Sequence, residues 1–191
     1  MGLRIVIVGV AGVGKSTVVQ KAVDSIQGSR VMVFGSAMFE AARKEGWVKH
    51  RDEMRKLPVE KQRRLQKIAA EGIARTRGKK VIFVDTHLFI RTPEGFWPGL
   101  PLAVIQALKP THLLLIEADP SEVLKRRLND ATRYRDKITE DEVHAELNLA
   151  RMFLSSASLV SGAPIMFIHN QEGKADEAAE KIRTLVKSAG T

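Results

Sequence analysis

The stretch "LRIVIV" at residues 3–8, followed at once by "GVAGVGKST" at 9–17, constrains the fold more than any other part of the chain. Gly9, Gly14, Lys15 and Ser16 satisfy the pattern G-x-x-x-x-G-K-[ST]. Glycines at these places let successive backbone N–H groups point into one concavity, which holds phosphate oxygens at a helix N-terminus. The flanks support that reading. Residues 3–8 suit a buried strand, and "STVVQKAVDSIQ" places Val19, Ala22, Val23 and Ile26 on one helical face. A glycine turn with an incidental lysine would need neither flank, so the phosphate chain of a nucleoside triphosphate is the expected ligand.

Strand and helix signals alternate beyond this corner. Apolar runs at 30–34, 80–85, 112–118 and 164–170 join residues 3–8 to make five strands. Runs without polar alternation suit strands covered on both faces, so the expected fold is α/β, with a five-stranded parallel sheet between helical layers. Asp119-Pro120-Ser121-Glu122 and Thr139-Glu140-Asp141-Glu142 read as helix starts, the second opening a helix that runs to about Gly162. Pro58 is expected to start a helix over 58–77 with Leu65, Ile68, Ala69 and Ile73 inward, and a last helix is expected near 174–188. "TPEGFWPGLP" (92–101) and "NDATRYRDKIT" (129–139) read as loops. A chain of 191 residues fits one domain. It has no apolar run near the ~18 residues of a membrane span. Without cysteine it forms no disulfide or thiolate metal site, which fits a cytoplasmic protein.

The net charge of +9 is unevenly spread: residues 43–67 hold ten Lys/Arg against four acids, and 125–137 hold six against two. Both segments lie inside the nucleotide-binding pattern and carry few aromatics to stack on bases, so nucleic acid is not the expected partner. Many of these cations simply solvate helix faces. Arg133 and Arg135 differ, because they flank Tyr134 in a polar connection with no core-facing pattern, and guanidinium forks match phosphate oxygens. Asp85 ends the third strand, where an open α/β sheet presents ligands. An acid there suits a Mg²⁺ ion beside the Ser16 hydroxyl, or a loop cap beside Thr86. His87 reads as structural.

"FGSAMFEAARKEGWVKHRDEMRKL", "VDTHLFIRTPEGFWPGLP" and "RRLNDATRYRD" together resemble the archaeal type of adenylate kinase over nearly the whole chain. The resemblance implies a P-loop kinase fold over residues 1–191, with a small NMP-binding region at 36–77 and a short lid at 127–139. It also implies Mg²⁺-dependent transfer, ATP + AMP ⇌ 2 ADP, and a homotrimer. The short lid has no cysteine, so no zinc is expected.

In that picture Gly9, Val10, Ala11, Gly12, Val13, Gly14, Lys15, Ser16 and Thr17 cradle the ATP phosphates, with Mg²⁺ on Ser16 and on Asp85 through water. Arg127, Arg133, Arg135 and Arg151 gather around the transferring group. Gly35, Ser36, Met38, Arg51, Arg55 and Arg91 serve AMP, with Phe39 as a further base platform, and Asn170 and Gln171 lie where the adenine of ATP is read. Three alternatives stay open. They are another nucleoside monophosphate kinase, a small-alcohol kinase with Asp85 as base, and a nucleotide-dependent RNA-binding or regulatory protein.

Overall fold

The five apolar runs form one parallel sheet in the computed structural model, which describes residues 2–76, 78, 80–92, 95–129 and 138–190. In chain order the main strands are β1 (Leu3–Val8), β2 (Ser29–Val33), β3 (Val81–Asp85), β6 (His112–Glu117) and β7 (Ile165–His169). The spatial order is β2-β3-β1-β6-β7. β1 is therefore central, and Ile5, Val6, Ile7 and Val8 are fully buried, as a strand covered on both faces requires. Register places Ile7 of β1 opposite Asp85 of β3, which brings the end of β3 beside the glycine turn.

Helices cover both faces. α1 (Lys15–Val23) packs against α7 (Ala175–Ala189). α2 (Phe34–Lys44), α3 (Val59–Ala74), α4 (Leu102–Leu108), α5 (Pro120–Leu128) and α6 (Glu140–Ser161) form a second connected group. Both expected helix starts are present, but only the second is capped by a side chain. Asp119 precedes α5, with Pro120 as its first residue, and makes no cap hydrogen bond, whereas Thr139 and Glu142 form the expected box. The Glu142 amide donates to Thr139 Oγ1 at 3.2 Å, and the Thr139 amide donates to Glu142 Oε2 at 2.8 Å. Gly162 ends α6 in the left-handed region at φ 72°.

Several boundaries differ from expectation. α1 ends at Val23, and the Ser29 hydroxyl closes the following turn by donating to the Ile26 carbonyl at 2.7 Å. α3 ends at Ala74 rather than 77, and Ile68 is only half-buried while Ala70 joins Leu65, Ala69 and Ile73 inside. The stretch expected as a loop over 92–101 instead contributes to an antiparallel pair, β4 (Phe89–Thr92) with β5 (Gly95–Pro98). Pro98 is the last residue of β5, in a two-stranded pair where both strands are edges and a missing N–H is tolerated. Phe89 packs edge-on against Phe96 with centroids 5.0 Å apart. Arg127 belongs to helix α5, and residues 130–137 of the expected lid, with Arg133 and Arg135, lie outside the described residues.

Residues 34–74 also carry a small core of their own. Ala42, Val48 and Leu65 are buried together, with Met38, Trp47 and Leu57 packed against them. Between α2 and α3 runs a 3-10 segment, Arg51–Lys56, that buries no residue.

Candidate active site

Gly12 and Gly14 take φ values of 92° and 81°, a region costly for residues with a Cβ. Gly14 then caps α1 without a side chain, and no acid lies in the first turn. The helix N-terminus is thus left with unneutralised N–H groups and a positive dipole end, the elements of an anion cradle. Ser16 and Thr17 are exposed at its start.

Lys15 is buried, and its Nζ is ion-paired to Asp85 Oδ1. Burial pulls the Lys15 ammonium down from 10.5 to about 8. The pair joins the two features expected to work together, the loop cation and the acid at the end of β3. Ser16 and Asp85 offer two oxygen donors. That donor set fits Mg²⁺, which keeps several waters and takes one or two protein oxygens beside phosphate.

The arginines are held by carboxylates. Arg127 is buried, donating from Nε to the Ala11 carbonyl at 2.8 Å and from Nη2 to Glu146 Oε2 at 2.7 Å. Glu146 also faces Arg91 Nη2 at 3.5 Å, so one carboxylate ties a cation from α5 to a cation from β4. Arg151 donates to both oxygens of Glu117, at 2.6 and 3.1 Å. Arg126, which the sequence pattern did not single out, donates to the Gly12 carbonyl at 3.4 Å and pairs with Glu122 and Glu172.

A second pocket opens beside the ion pair, lined by Gly35, Met38, Arg51, Gln66, Asp85 and Thr86, among others. It brings together Gly35, Met38 and Arg51, three of the residues expected to serve AMP. Arg51 donates to Ser36 Oγ at 3.4 Å, and a Cβ on Gly35 would fall 2.7 Å from the Arg51 guanidinium. Arg55 is exposed and does not line this pocket, because it sits on the far part of the 3-10 segment. Asn170, expected at a base site, instead donates from Nδ2 to the Val13 carbonyl at 2.8 Å and so braces the phosphate loop. The residues missed in the sequence are Gln66, Glu117, Arg126 and Glu146; apart from the Arg126–Glu122 pair within α5, they meet the partners named here only through the fold.

A glycine cradle with a buried lysine, bordered by arginines and a second pocket, is the machinery of a P-loop phosphotransferase. Residues 8–144 match the family model described as an AAA domain. Among solved structures, the chain is similar in fold to a shikimate kinase from Acinetobacter baumannii in complex with shikimate, with TM-score 0.64 and 17% identity. That likeness covers 99% of this chain and 95% of the other. Adenylate kinase of Methanopyrus kandleri is 42% identical over 190 residues, covering 98% of this chain and all of that one. Adenylate kinase of Pyrococcus furiosus is 44% identical over 188 residues, covering 98% of this chain and 95% of its own. The chain belongs to the adenylate kinase family.

Proposed function

We propose that the chain catalyses ATP + AMP ⇌ 2 ADP by direct in-line transfer. ATP lies with its phosphates on residues 9–17, and AMP lies in the pocket of Gly35, Met38 and Arg51. The observation that carries this reading is the Lys15–Asp85 pair: one of its partners belongs to the phosphate loop, and the other lines the acceptor pocket. Donor and acceptor therefore meet across a single contact.

The acceptor needs no general base, since the second pKa of a phosphate monoester is about 6 and its oxygen is already anionic near neutrality. Catalysis then rests on positioned cations, as a loose phosphoryl-transfer transition state spreads charge over the equatorial oxygens. Lys15 spans the β- and γ-phosphates. Arg126, Arg127 and Arg151 come from the donor side, Arg51 and Arg91 from the acceptor side, and Arg133 and Arg135 from the connection between α5 and α6. Glu117 and Glu146 hold Arg151 and Arg127 ready in the absence of phosphate. Ser16 and Asp85 would hold Mg²⁺, which neutralises phosphate charge when bound.

Residues 36–77 form the NMP-binding region of this reading, with the separate small core as support, and 127–139 form the lid. A homotrimer in the cytoplasm belongs to the same proposal. Support for self-association comes from α6, whose exposed Met152, Leu159 and Val160 share one helical face. Light scattering on the purified chain is expected to return three times the 21.2 kDa of one copy.

The decisive assay supplies Mg²⁺ and ATP with AMP, CMP, UMP, GMP or a shikimate-like alcohol in turn, and resolves the products by chromatography. ADP formed from AMP is the expected result. A diphosphate of another base, or a phosphorylated alcohol, in place of it would overturn the assignment. The pH profile gives a separate check. Lys15 must be an ammonium to hold phosphate, so kcat/KM for MgATP is expected to fall about tenfold per pH unit as pH rises through about 8. Bound phosphates favour the protonated form, which moves the falling limb of kcat itself to higher pH. A kcat/KM profile level well beyond that pH would show that Lys15 does not titrate in the free enzyme.

A further inference from the structure

We infer that Gln66 reads the acceptor base, its amide oxygen accepting from an exocyclic amine and so selecting a 6-aminopurine. This rests on the acceptor pocket assigned above. Gln66 is 5% exposed, on the inward face of α3 with Leu65, Ala69, Ala70 and Ile73. Glutamine is rarely so buried without a polar task. Its Nε2 donates to the Pro98 carbonyl at 3.2 Å. A carbonyl can only accept, so this bond fixes which way the amide faces and leaves Oε1 as the free group. No described residue bonds that oxygen, and it is not among the fully enclosed polar atoms that lack a partner. The residue lines the acceptor pocket.

The position suits the base rather than the phosphate. Asp85, paired to Lys15, marks the end where transfer occurs. Gln66 enters from α3, whose main packing partners among the helices are α2 and α4. A monophosphate with its phosphate toward Lys15 extends its base toward α2 and α3. There an acceptor such as Oε1 discriminates by hydrogen-bond sense. The 6-amino group of adenine donates to it, and the 6-oxo group of guanine or hypoxanthine sets acceptor against acceptor. A site built to bond one polar group rejects analogues that leave the protein atom unpaired.

The test compares AMP, purine riboside 5′-monophosphate (no 6-substituent) and IMP as acceptors at saturating MgATP. Wild-type kcat/KM is expected to rank them in that order, AMP leading the unsubstituted purine by about tenfold. Gln66→Met, similar in size but without the acceptor, is expected to lower kcat/KM for AMP to that of the unsubstituted purine, chiefly through KM. The KM for ATP should stay in place. If Gln66→Met does not fold, Gln66→Asn draws the oxygen back by one methylene and is expected to shrink the same ratio. Equal use of AMP and the unsubstituted purine by wild type, or a ratio unchanged in the variant, overturns the role of Gln66. Failure of wild type to phosphorylate AMP at all would instead overturn the acceptor-site reading beneath it.

Discussion

Lys15→Met is expected to lower turnover by on the order of a thousandfold, and to lower stability as well. The two effects have different origins. Turnover falls because the only cation inside the loop, positioned at the start of α1 and buried, no longer meets the phosphates. Stability falls because Asp85, 15% exposed, loses its ion-pair partner. Removing one partner of a buried pair costs up to about 3–5 kcal/mol, and the water that reaches Asp85 puts this case at the lower end. The double variant Lys15→Met/Asp85→Asn separates the two. Without the orphaned carboxylate it is expected to recover most of the lost stability in chemical denaturation while turnover stays near the single variant's. Wild-type turnover in Lys15→Met would remove the loop from the chemistry. A double variant no more stable than the single would show that the pair is not what Asp85 contributes.

Why Lys15 and Asp85 could both be found in the sequence, and Glu146 could not, is a matter of range. The loop is contiguous, so its glycines, lysine and hydroxyls announce themselves within nine residues. Asp85 was legible because apolar strands buried on both faces end abruptly, and the carboxyl edge of such a sheet is where ligands bind. That β3 lies directly beside β1 is a matter of strand order, which periodicity does not encode. Glu146 and Glu117 act on Arg127 and Arg151 across 19 and 34 residues, and in sequence they are two more acids on amphipathic segments. Gln66 was hidden for the same reason, since its neighbours in "EKQRRLQK" give every appearance of a solvated helix face. α2 carries no start signal in the sequence, because it begins directly at the end of β2 with no side-chain cap, and Gly35-Ser36 mimics a turn. The β4–β5 pair is not legible in sequence because its strands are held by cross-strand contacts such as Phe89 on Phe96, while the stretch 92–101 is rich in proline and glycine.

Gly14→Ala is expected to be nearly as damaging as loss of Lys15, with kcat/KM for MgATP down by about a hundredfold or more. Two obstacles act on one methyl group. At φ 81° a residue with a Cβ is strained by about 1–3 kcal/mol. That Cβ would also overlap Asn170 Nδ2, the atom that donates to the Val13 carbonyl and braces the loop. Asn170 has little freedom to retreat, being buried with its own amide bonded to the Glu117 carbonyl at 2.7 Å. The loop must therefore move, and amides aimed at phosphate oxygens lose their alignment. Gly14→Ala/Asn170→Ala divides the obstacles, because it removes the overlap and leaves the backbone strain. Partial recovery of the melting temperature with little recovery of kcat/KM is the expected outcome, since the second change also deletes the brace on Val13. Full recovery of both would mean that crowding alone made glycine necessary at this position. A single Gly14→Ala variant with native KM for ATP would mean that the cradle tolerates a different backbone from the one this structure shows.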